Sequence, residues 1–312
     1  MRILVTGGAG FIGSNLVRRL LADGDSVAVI DDLSTGYRAN IEGLPIDFVE
    51  ASILDEEALA QAAAGAEAII HLGALGSVPR SVKDPMTSHH ANATGTLMVC
   101  LAAQREGAHL TAASSSSVYG SVPDLPREES LPTRPMSPYA VTKLATESYL
   151  LAFAAAYGMP TLPFRFFNVY GPRQAAGHVY AAVIPVFIDA ALRGEPLPVN
   201  GDGLQSRDFT FVDTVTWVLA DAAHRRVTSD RPVNLAIGAN VTLLDLVAEL
   251  ERLVGRELPI EHRPPRVGDV RASQSNPALL RSLFPDVPEI PFVEGLAATV
   301  EWFGTLPGYD RA

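Results

Sequence analysis

Tyr139 and Lys143 are the residues of this chain whose types and spacing most directly indicate chemistry. They lie four residues apart in the run SPYAVTK, so they share one face of a helix that is predicted to begin after Pro138. A nearby ammonium group stabilises a phenolate and lowers the pKa of the phenol, which would let Tyr139 act as a base near neutral pH. The pattern Y-x-x-x-K also occurs by chance on structural helices, so its surroundings decide its meaning.

A cluster of four serines, residues 114–117, precedes this pair by about 25 residues in the run ASSSSVYG. The cluster follows a predicted parallel strand, and the active sites of α/β sheets lie at such strand ends. A hydroxyl group here would hold a substrate oxygen and pass its proton to Tyr139. A serine cluster on its own is more often part of a turn.

The first thirteen residues, MRILVTGGAGFIG, place a short β-branched strand before three glycines and an apolar helix that begins near Phe11. Gly7, Gly10 and Gly13 would let the backbone bend sharply and approach a pyrophosphate, whose charge is met by N–H groups at the helix start. Their spacing is G-x-x-G-x-x-G rather than the G-x-G-x-x-G of the commoner dinucleotide fingerprint. Such a turn, taken alone, is also compatible with a purely structural role.

A carboxylate follows the second predicted strand, because residues 27–30 run directly into Asp31 and Asp32, about twenty residues after the glycines. Asp31 would accept the two hydroxyl groups of an adenosine ribose and repel a 2′-phosphate, which favours NAD over NADP. The alternative is that both aspartates belong to a solvated turn. The order of glycine turn, aspartate, serine cluster and Tyr–Lys pair favours one catalytic site that binds a dinucleotide.

Short apolar runs that alternate with helical stretches predict parallel strands at 3–6, 27–30, 47–49, 68–71, 110–113 and 161–166. They indicate an α/β fold of Rossmann type, with a doubly wound parallel sheet. Beyond residue 171 the prolines are denser and the helices shorter, which indicates a smaller, discontinuous C-terminal substrate-binding lobe. A strand near 228–240 is expected to return to the sheet. We therefore predict an NAD-binding domain over 1–171 and a lobe over 172–227 and 241–312.

Bulk properties restrict the class of protein. The 312 residues can form about two domains, and a net charge of −11 with a pI near 5.1 and no basic run argues against nucleic acid or an anionic membrane as partner. The single cysteine, Cys100, lies in an apolar helical run and is expected in the core. No signal-type segment and no run of about 18 apolar residues is found, so a cytoplasmic location is expected. The seven histidines are scattered, and no metal site is apparent.

Taken together, these motifs resemble the extended short-chain dehydrogenase/reductase family, and within it the NAD-dependent nucleotide-sugar epimerases and dehydratases. The resemblance extends over essentially the whole chain. Besides GGAGFIG and SPYAVTK, it rests on HLGAL from His71, NATGT from Asn92, RFFNVYGP from Arg165, NGDG from Asn200, SRDF from Ser206 and RVGDVR from Arg266.

The resemblance implies Ser115 as the catalytic hydroxyl, Tyr139 as the base and Lys143 as the residue that also holds the nicotinamide ribose. It implies NAD as the cofactor. The cofactor-binding residues that it implies are Gly7, Gly10, Phe11, Ile12, Gly13, Asp31, Asp32, Ser52, Ile53, Leu72, Ala74, Asn92, Tyr139, Lys143 and Phe166.

In the lobe, the resemblance implies a UDP-sugar site in which Arg207 and Arg266 clamp the diphosphate, since guanidinium groups pair well with phosphate oxygens. Asn168 is similar to a residue that contacts the sugar diphosphate, and Asp269 to a ligand of the nucleotide ribose. The substrate-binding residues implied in this way are Ser77, Ser116, Ser117, Asn168, Val183, Asn200, Arg207, Arg266, Asp269 and Ser273.

Three positions depart from the pattern of the family. Ser52 stands where family members often carry an aspartate that meets the adenine amine, so this contact would lack charge. Gly73 replaces the usual alanine of an H-L-A-A stretch, and Met98 stands where an asparagine is frequent. The cofactor contacts at these positions are therefore less secure.

The serine cluster also separates the reactions of the family. Sugar 4,6-dehydratases carry an adjacent Asp-Glu pair there and decarboxylases usually a glutamate, whereas this chain has only serines. A 4-epimerase is therefore expected, in which Tyr139 removes the C4 hydroxyl proton, a transient 4-keto sugar turns about its diphosphate, and NAD ends as it began and stays tightly bound. A nucleotide-sugar ketoreductase is one alternative, and a non-catalytic NAD-binding sensor is another.

Two positions bear on the choice of sugar. Uronate 4-epimerases hold the carboxylate with a threonine and an arginine where this chain has Asn168 and Ala175, which counts against UDP-glucuronate. Ser273 is small where a tyrosine narrows the site of epimerases limited to unacetylated hexoses. We therefore expect UDP-GlcNAc/UDP-GalNAc as substrates, with UDP-glucose/UDP-galactose also accepted. The resemblance further implies a homodimer packed through the helices that carry Cys100 and Tyr139.

Overall fold

Seven parallel strands form the central sheet. The computed structural model describes residues 1–177, 182–264 and 271–309. In these ranges the strands, β1 to β13 in chain order, are Arg2–Thr6, Ser26–Ile30, Asp47–Val49, Ala68–His71, His109–Ser115, Thr161–Phe166, Asn168–Tyr170, Leu197–Asn200, Ser206–Arg207, Phe209–Phe211, Val233–Leu235, Val241–Thr242 and Ile260–Arg263. The sheet order is β11-β6-β5-β4-β1-β2-β3, and every neighbouring pair is parallel. This confirms the predicted α/β fold of Rossmann type.

Helices cover the sheet and build the lobe beside it. The α-helices, α1 to α11 in chain order, are Phe11–Ala22, Glu56–Ala63, Val78–Lys83, Pro85–His89, Gly95–Glu106, Pro138–Tyr157, Val183–Arg193, Val212–His224, Leu243–Val254, Ala278–Leu283 and Phe292–Phe303. A π-helical turn, His90–Thr94, joins α4 to α5. No helix in the described part of the chain combines the length and the apolar character that crossing a bilayer requires.

The sheet is buried on both faces, which is why its strands read as continuous apolar runs. Successive side chains of a strand point to opposite faces. In β1, Ile3 and Val5 pack with residues of α1 and α8, whereas Leu4 packs with residues of α2, α5 and α6. Cys100 lies in this second cluster and is fully buried, as predicted.

The smaller lobe has an apolar core of its own, to which α7, α9 and α11 contribute. Three two-stranded pairs accompany it: β7 with β10, β8 with β13 and β9 with β12. β11 instead pairs with β6 at the edge of the central sheet, which confirms the returning strand expected near 228–240. Helix α8 departs from the predicted division, because it packs against α1 and the sheet although the prediction placed 172–227 in the lobe. The division into two domains stays a proposal, with α8 assigned to the sheet.

A buried ion pair attaches α6 to the sheet. Glu147 of α6 accepts two hydrogen bonds from Arg165 of β6, both at 2.9 Å, and a third from Ser114 of β5 at 2.5 Å. The side chains of Arg165 and Glu147 are only 4% and 3% exposed. Because both charges have lost their water, the pair stabilises this packing only while both partners are present.

We expect Glu147→Gln to lower the free energy of unfolding by about 3–5 kcal/mol, because it leaves the Arg165 guanidinium buried without a counterion. Glu249→Gln is the matched control, since Glu249 pairs with Arg252 at 2.9 Å on the surface of α9. Exposed pairs of this kind contribute about 0.2–1 kcal/mol. Urea unfolding of both variants measures the difference, and equal losses would contradict the stabilising role of the buried pair.

Candidate active site

The turn between β1 and α1 brings two backbone segments very close together. Gly7 has a φ of +70°, and a Cβ on it would lie 2.7 Å from the Gly73 nitrogen. A Cβ on Gly13 would lie 2.2 Å from the Gly7 oxygen. Gly10 is the N-cap of α1, and no side chain caps the helix start. These features fit a pyrophosphate, which needs close backbone approach and N–H groups at a helix start.

Asp31 follows β2 beside this turn and is 8% exposed. Its Oδ2 accepts a hydrogen bond from the Ala9 N–H and its Oδ1 accepts one from the Leu33 N–H, both at 2.9 Å. Burial raises the pKa of Asp31, and the two backbone N–H groups oppose this shift. The same bonds hold the carboxylate against the glycine turn, and each oxygen keeps acceptor capacity for a ribose hydroxyl.

A cavity of about 800 Å³ extends from Asp31 to Tyr139. Its size lies in the range of cofactor sites. With the exception of Asn92, every residue predicted to bind the cofactor lines it: Gly7, Gly10, Phe11, Ile12, Gly13, Asp31, Asp32, Ser52, Ile53, Leu72, Ala74, Tyr139, Lys143 and Phe166.

Asn92 is the exception, since it is 1% exposed and does not line the cavity, and its contact with the cofactor stays a prediction. Its Oδ1 accepts a hydrogen bond from the Leu75 N–H at 2.7 Å. Its Nδ2 donates to the Leu75 carbonyl at 3.3 Å and to Thr142 Oγ1 at 3.0 Å. Because Leu75 lines the cavity and Thr142 belongs to α6, Asn92 joins the cavity wall to this helix.

Ser115, Tyr139 and Lys143 line the same cavity, as their order along the chain predicts. Ser115 ends β5, and Tyr139 and Lys143 lie in the first two turns of α6, whose N-cap is Ser137. The Lys143 ammonium donates to the Ala113 carbonyl at 2.7 Å and is 5% exposed. The structure therefore brings a hydroxyl, a phenol and a fixed ammonium group to one wall.

Burial dominates the protonation of these groups. It raises the pKa of Tyr139, and hydrogen bonding with Ser115 opposes the shift. It lowers the pKa of Lys143 to about 8, so the ammonium keeps its charge at neutral pH and loses it as the pH rises through that value. The net direction for Tyr139 is opposite to the one expected from Lys143, because the phenol loses hydration that its neighbours do not fully replace.

A second cavity, of about 340 Å³, adjoins the first in the smaller lobe. Arg207 lines it and brings a guanidinium group, which suits a diphosphate. The other predicted substrate residues that line it are Asn168, Val183 and Asn200. The residues shared by the walls of both cavities are Phe167, Val169, Gln174 and Ala182. The two cavities therefore form one cleft.

Ser77, Ser116 and Ser117 are predicted substrate residues that line neither cavity. Ser77 is the N-cap of α3, where its Oγ accepts a hydrogen bond from the Arg80 N–H at 3.1 Å. Ser116 and Ser117 open the 3-10 turn Ser116–Tyr119. The contacts of these three serines with a substrate stay predictions.

Ser273 also lines neither cavity among the described residues. It lies beside β9, where its N–H donates to the Ser206 carbonyl at 3.2 Å. Ser206 is the residue before Arg207. Arg266 and Asp269 fall outside the described residues, so their roles stay predictions.

Two arginines that line the larger cavity, Arg80 and Arg173, were not predicted from the sequence as site residues. Arg173 has a φ of +69°, and its Nη1 donates to Asn15 Oδ1 at 3.0 Å. Its position directly after the segment RFFNVYGP is a signal that points to the site. Arg80 offers no such signal, because a single arginine in a sequence is usually solvated.

Comparisons with known proteins agree with this geometry. The model of the NAD dependent epimerase/dehydratase family matches residues 3–238. A UDP-glucose 4-epimerase from Mycolicibacterium smegmatis is 38% identical over 310 residues, which cover 97% of this chain and 98% of that protein. The structure of a UDP-N-acetylglucosamine 4-epimerase from Methanobrevibacter ruminantium, in complex with UDP-N-acetylmuramic acid, is similar with a TM-score of 0.92, 34% identity and 97% coverage of both chains. A dTDP-glucose 4,6-dehydratase from Streptomyces venezuelae, solved with NAD bound, gives a TM-score of 0.88, 30% identity and 97% coverage of both chains.

We expect Asp31→Asn to weaken the binding of NAD by about tenfold or more, because the amide cannot accept hydrogen bonds at both of its ends. The variant should also narrow the preference for NAD over NADP, since the charge that repels a 2′-phosphate is gone. Asp32→Asn is the comparison variant, because Asp32 lines the same cavity and, among the described residues, accepts a hydrogen bond from the Ser34 N–H; we expect a smaller change in the preference for NAD over NADP. Calorimetric titration with both dinucleotides measures the effect, and an unchanged preference in Asp31→Asn would refute the assignment.

Proposed function

The chain belongs to the NAD-dependent epimerase/dehydratase family, and we propose that it is a UDP-sugar 4-epimerase. The observation that carries this proposal is that Ser115, Tyr139 and Lys143 line a cavity adjoining a second one lined by Arg207. Groups that move a proton thus lie beside a site for a charged nucleotide. The proposed reactions interconvert UDP-GlcNAc with UDP-GalNAc and UDP-glucose with UDP-galactose.

The described residues fit the cofactor of this family. The glycine turn would hold the pyrophosphate, because Cβ atoms at Gly7 and Gly13 would collide with backbone atoms there. Asp31 would hold the adenosine ribose and Lys143 the nicotinamide ribose. When bound, NAD supplies the reversible acceptance and return of a hydride. Since 4-epimerisation leaves the cofactor unchanged overall, we infer that the protein keeps it tightly bound.

Tyr139 is proposed to remove the proton of the C4 hydroxyl group. Ser115 lines the same cavity as Tyr139 and opposes the rise in the Tyr139 pKa, and it would hold the substrate oxygen and relay the proton. Lys143 is held by the Ala113 carbonyl and keeps its charge below about pH 8, and this charge is proposed to stabilise the phenolate when it forms. The 4-keto sugar would turn about its diphosphate, which Arg207 holds in the adjoining cavity, and present its other face.

The distribution of carboxylates supports epimerisation over the loss of water. Among the described residues that line the larger cavity, the acidic ones are Asp31 and Asp32, which follow β2 at the ribose end. Elimination of water needs an acid and a base beside the sugar. Ser115 instead has serines as its two following neighbours.

A uronate is the second candidate substrate. Arg80 lines the larger cavity, and a guanidinium group there would suit a carboxylate. Against it, Ala175 also lines this cavity, at the position where uronate 4-epimerases carry an arginine. Asn168 likewise replaces their threonine. We therefore favour sugars without a carboxylate, and the small Ser273 favours N-acetylated ones.

We also propose a homodimer that packs through α5 and α6. Leu101, Val141 and Tyr157 on these helices are 52%, 52% and 60% exposed. Exposed apolar side chains on both helices would give such an interface apolar surface to bury. The cytoplasmic location and the exclusion of nucleic acid and membrane as partners remain expectations from composition.

Tyr139→Phe should lower kcat by about 10²- to 10⁴-fold, because it removes the general base and keeps the ring that packs in the wall. Tyr149→Phe is the matched control, since Tyr149 lies on the same helix and lines neither cavity. Rates with UDP-glucose and UDP-GlcNAc test both variants. Comparable turnover in the two variants would exclude Tyr139 as the base.

Ser273→Tyr should selectively suppress the turnover of UDP-GlcNAc, because the resemblance implies that a tyrosine at this position narrows the site of epimerases limited to unacetylated hexoses. UDP-glucose serves as the internal control in the same preparation. The ratio of kcat/KM for the two sugars is the quantity to measure. An equal loss with both sugars would remove the argument for the acetylated substrate.

A further inference from the structure

Buried hydrogen bonds connect the glycine turn with the far side of the site through His71. The Gly73 N–H donates to Thr6 Oγ1 at 3.0 Å, and Thr6 Oγ1 lies 2.7 Å from His71 Nδ1. His71 Nε2 lies 3.1 Å from Thr96 Oγ1, which donates to the Asn92 carbonyl at 2.7 Å. Thr6, His71 and Thr96 are at most 3% exposed, so water cannot readily replace these partners.

These contacts select one tautomer of His71. Because the Asn92 carbonyl can only accept a hydrogen bond, the Thr96 hydroxyl donates its hydrogen to that carbonyl. Thr96 Oγ1 then accepts from His71, which places the imidazole hydrogen on Nε2. Nδ1 is left to accept from the Thr6 hydroxyl. The other tautomer would set two lone pairs against each other at Thr96 and leave the Thr6 hydroxyl without an acceptor among the described residues.

The ring is also held neutral. Burial and the positive charge of Lys143 lower the pKa of His71 to about 3. A protonated ring would carry hydrogens on both nitrogens, and the Thr6 hydroxyl would again lose its acceptor. The direction of each bond in this series is therefore fixed at neutral pH.

The series ends on the catalytic helix at two points. Thr96 Oγ1 lies 3.1 Å from Thr146 Oγ1 of α6. Asn92 reaches the same helix through its bond to Thr142. The other end of the series is the Gly73 backbone, against which the glycine turn packs. The contacts through His71 thus connect the backbone at the glycine turn with the helix that carries Tyr139 and Lys143.

We propose that His71, as the neutral Nε2–H tautomer, is a positioning residue that sets the distance between the glycine turn and the helix carrying Tyr139 and Lys143. His71 lines neither cavity, so it acts through Thr6 and Thr96. The inference rests on the proposed function only for its effect on turnover. The tautomer and the binding of NAD are measured without any sugar.

The first test observes the tautomer in the wild-type protein saturated with NAD and labelled with ¹⁵N in its histidine rings. Correlations between ring nitrogens and carbon-bound hydrogens distinguish the two tautomers and the protonated ring. The signals of His71 are assigned by their loss in His71→Asn. We expect the Nε2–H pattern to persist from about pH 6 to pH 8, and an Nδ1–H pattern or a titration in this range would overturn the inference.

The second test compares His71→Gln with His109→Gln. His109 is the matched control, because it is also a fully buried imidazole. It lies at the start of β5, at the end of that strand away from Ser115, and its Nε2 contacts the Val227 carbonyl at 2.7 Å. The melting temperature reports the cost of losing a buried ring in each variant. We expect only His71→Gln to weaken NAD binding and lower kcat, each by about ten- to a hundredfold, with little change in KM for the UDP-sugar. Equal NAD affinity and kcat in the two variants would overturn the inference.

Thr96→Val tests the path, because it removes the hydroxyl group and retains the shape of the side chain. It should reproduce the loss of NAD affinity, and the double variant with His71→Gln should lose no more than either single variant. Losses that multiply in the double variant would show that His71 and Thr96 act independently, against the proposed path. Because NAD affinity is measured without substrate, these results stand even if no epimerase activity is found.

Discussion

The site depends on the attachment of α6 to the ends of β5 and β6. Lys143 donates to the Ala113 carbonyl, and one turn later Glu147 forms the buried pair with Arg165. Because these contacts are buried, they fix the position of α6 relative to the sheet and keep Tyr139 facing the cavity. The parallel sheet supplies the rest, since the carboxyl ends of its strands meet at one edge and gather the glycine turn, the ribose carboxylate and the serine cluster there.

Local charge explains how a protein with a net charge of −11 would bind an anionic nucleotide. The carboxylate of Asp31 lies at one end of the larger cavity, while Lys143 and Arg173 lie along its wall and Arg207 lies in the adjoining one. The negatively charged and the positively charged side chains thus occupy separate regions of one cleft. The burial of these groups increases their influence, because charges interact more strongly away from bulk water.

The sequence predicts the regular elements well, because strands buried on both faces read as apolar runs. β3, β4 and β6 have the predicted bounds, whereas β5 extends further, since its ends, His109 and Ser115, are polar and break the run. Long-range polar contacts were less predictable. Asn92 has its partners 17 and 50 residues away at Leu75 and Thr142, and no local pattern distinguishes such contacts from a ligand contact. The protonation of Tyr139 likewise depends on burial, which the Tyr–Lys spacing does not report.

The central claim, a 4-epimerase that carries its own NAD, is tested most directly by a proton NMR time course of the purified protein without added cofactor. UDP-GlcNAc, UDP-glucose and UDP-glucuronate are each added to a separate sample. The account predicts new anomeric signals of the galacto epimers of UDP-GlcNAc and UDP-glucose, which form faster than any product of UDP-glucuronate. An absence of new signals with all three sugars, even after NAD is supplied, would contradict it.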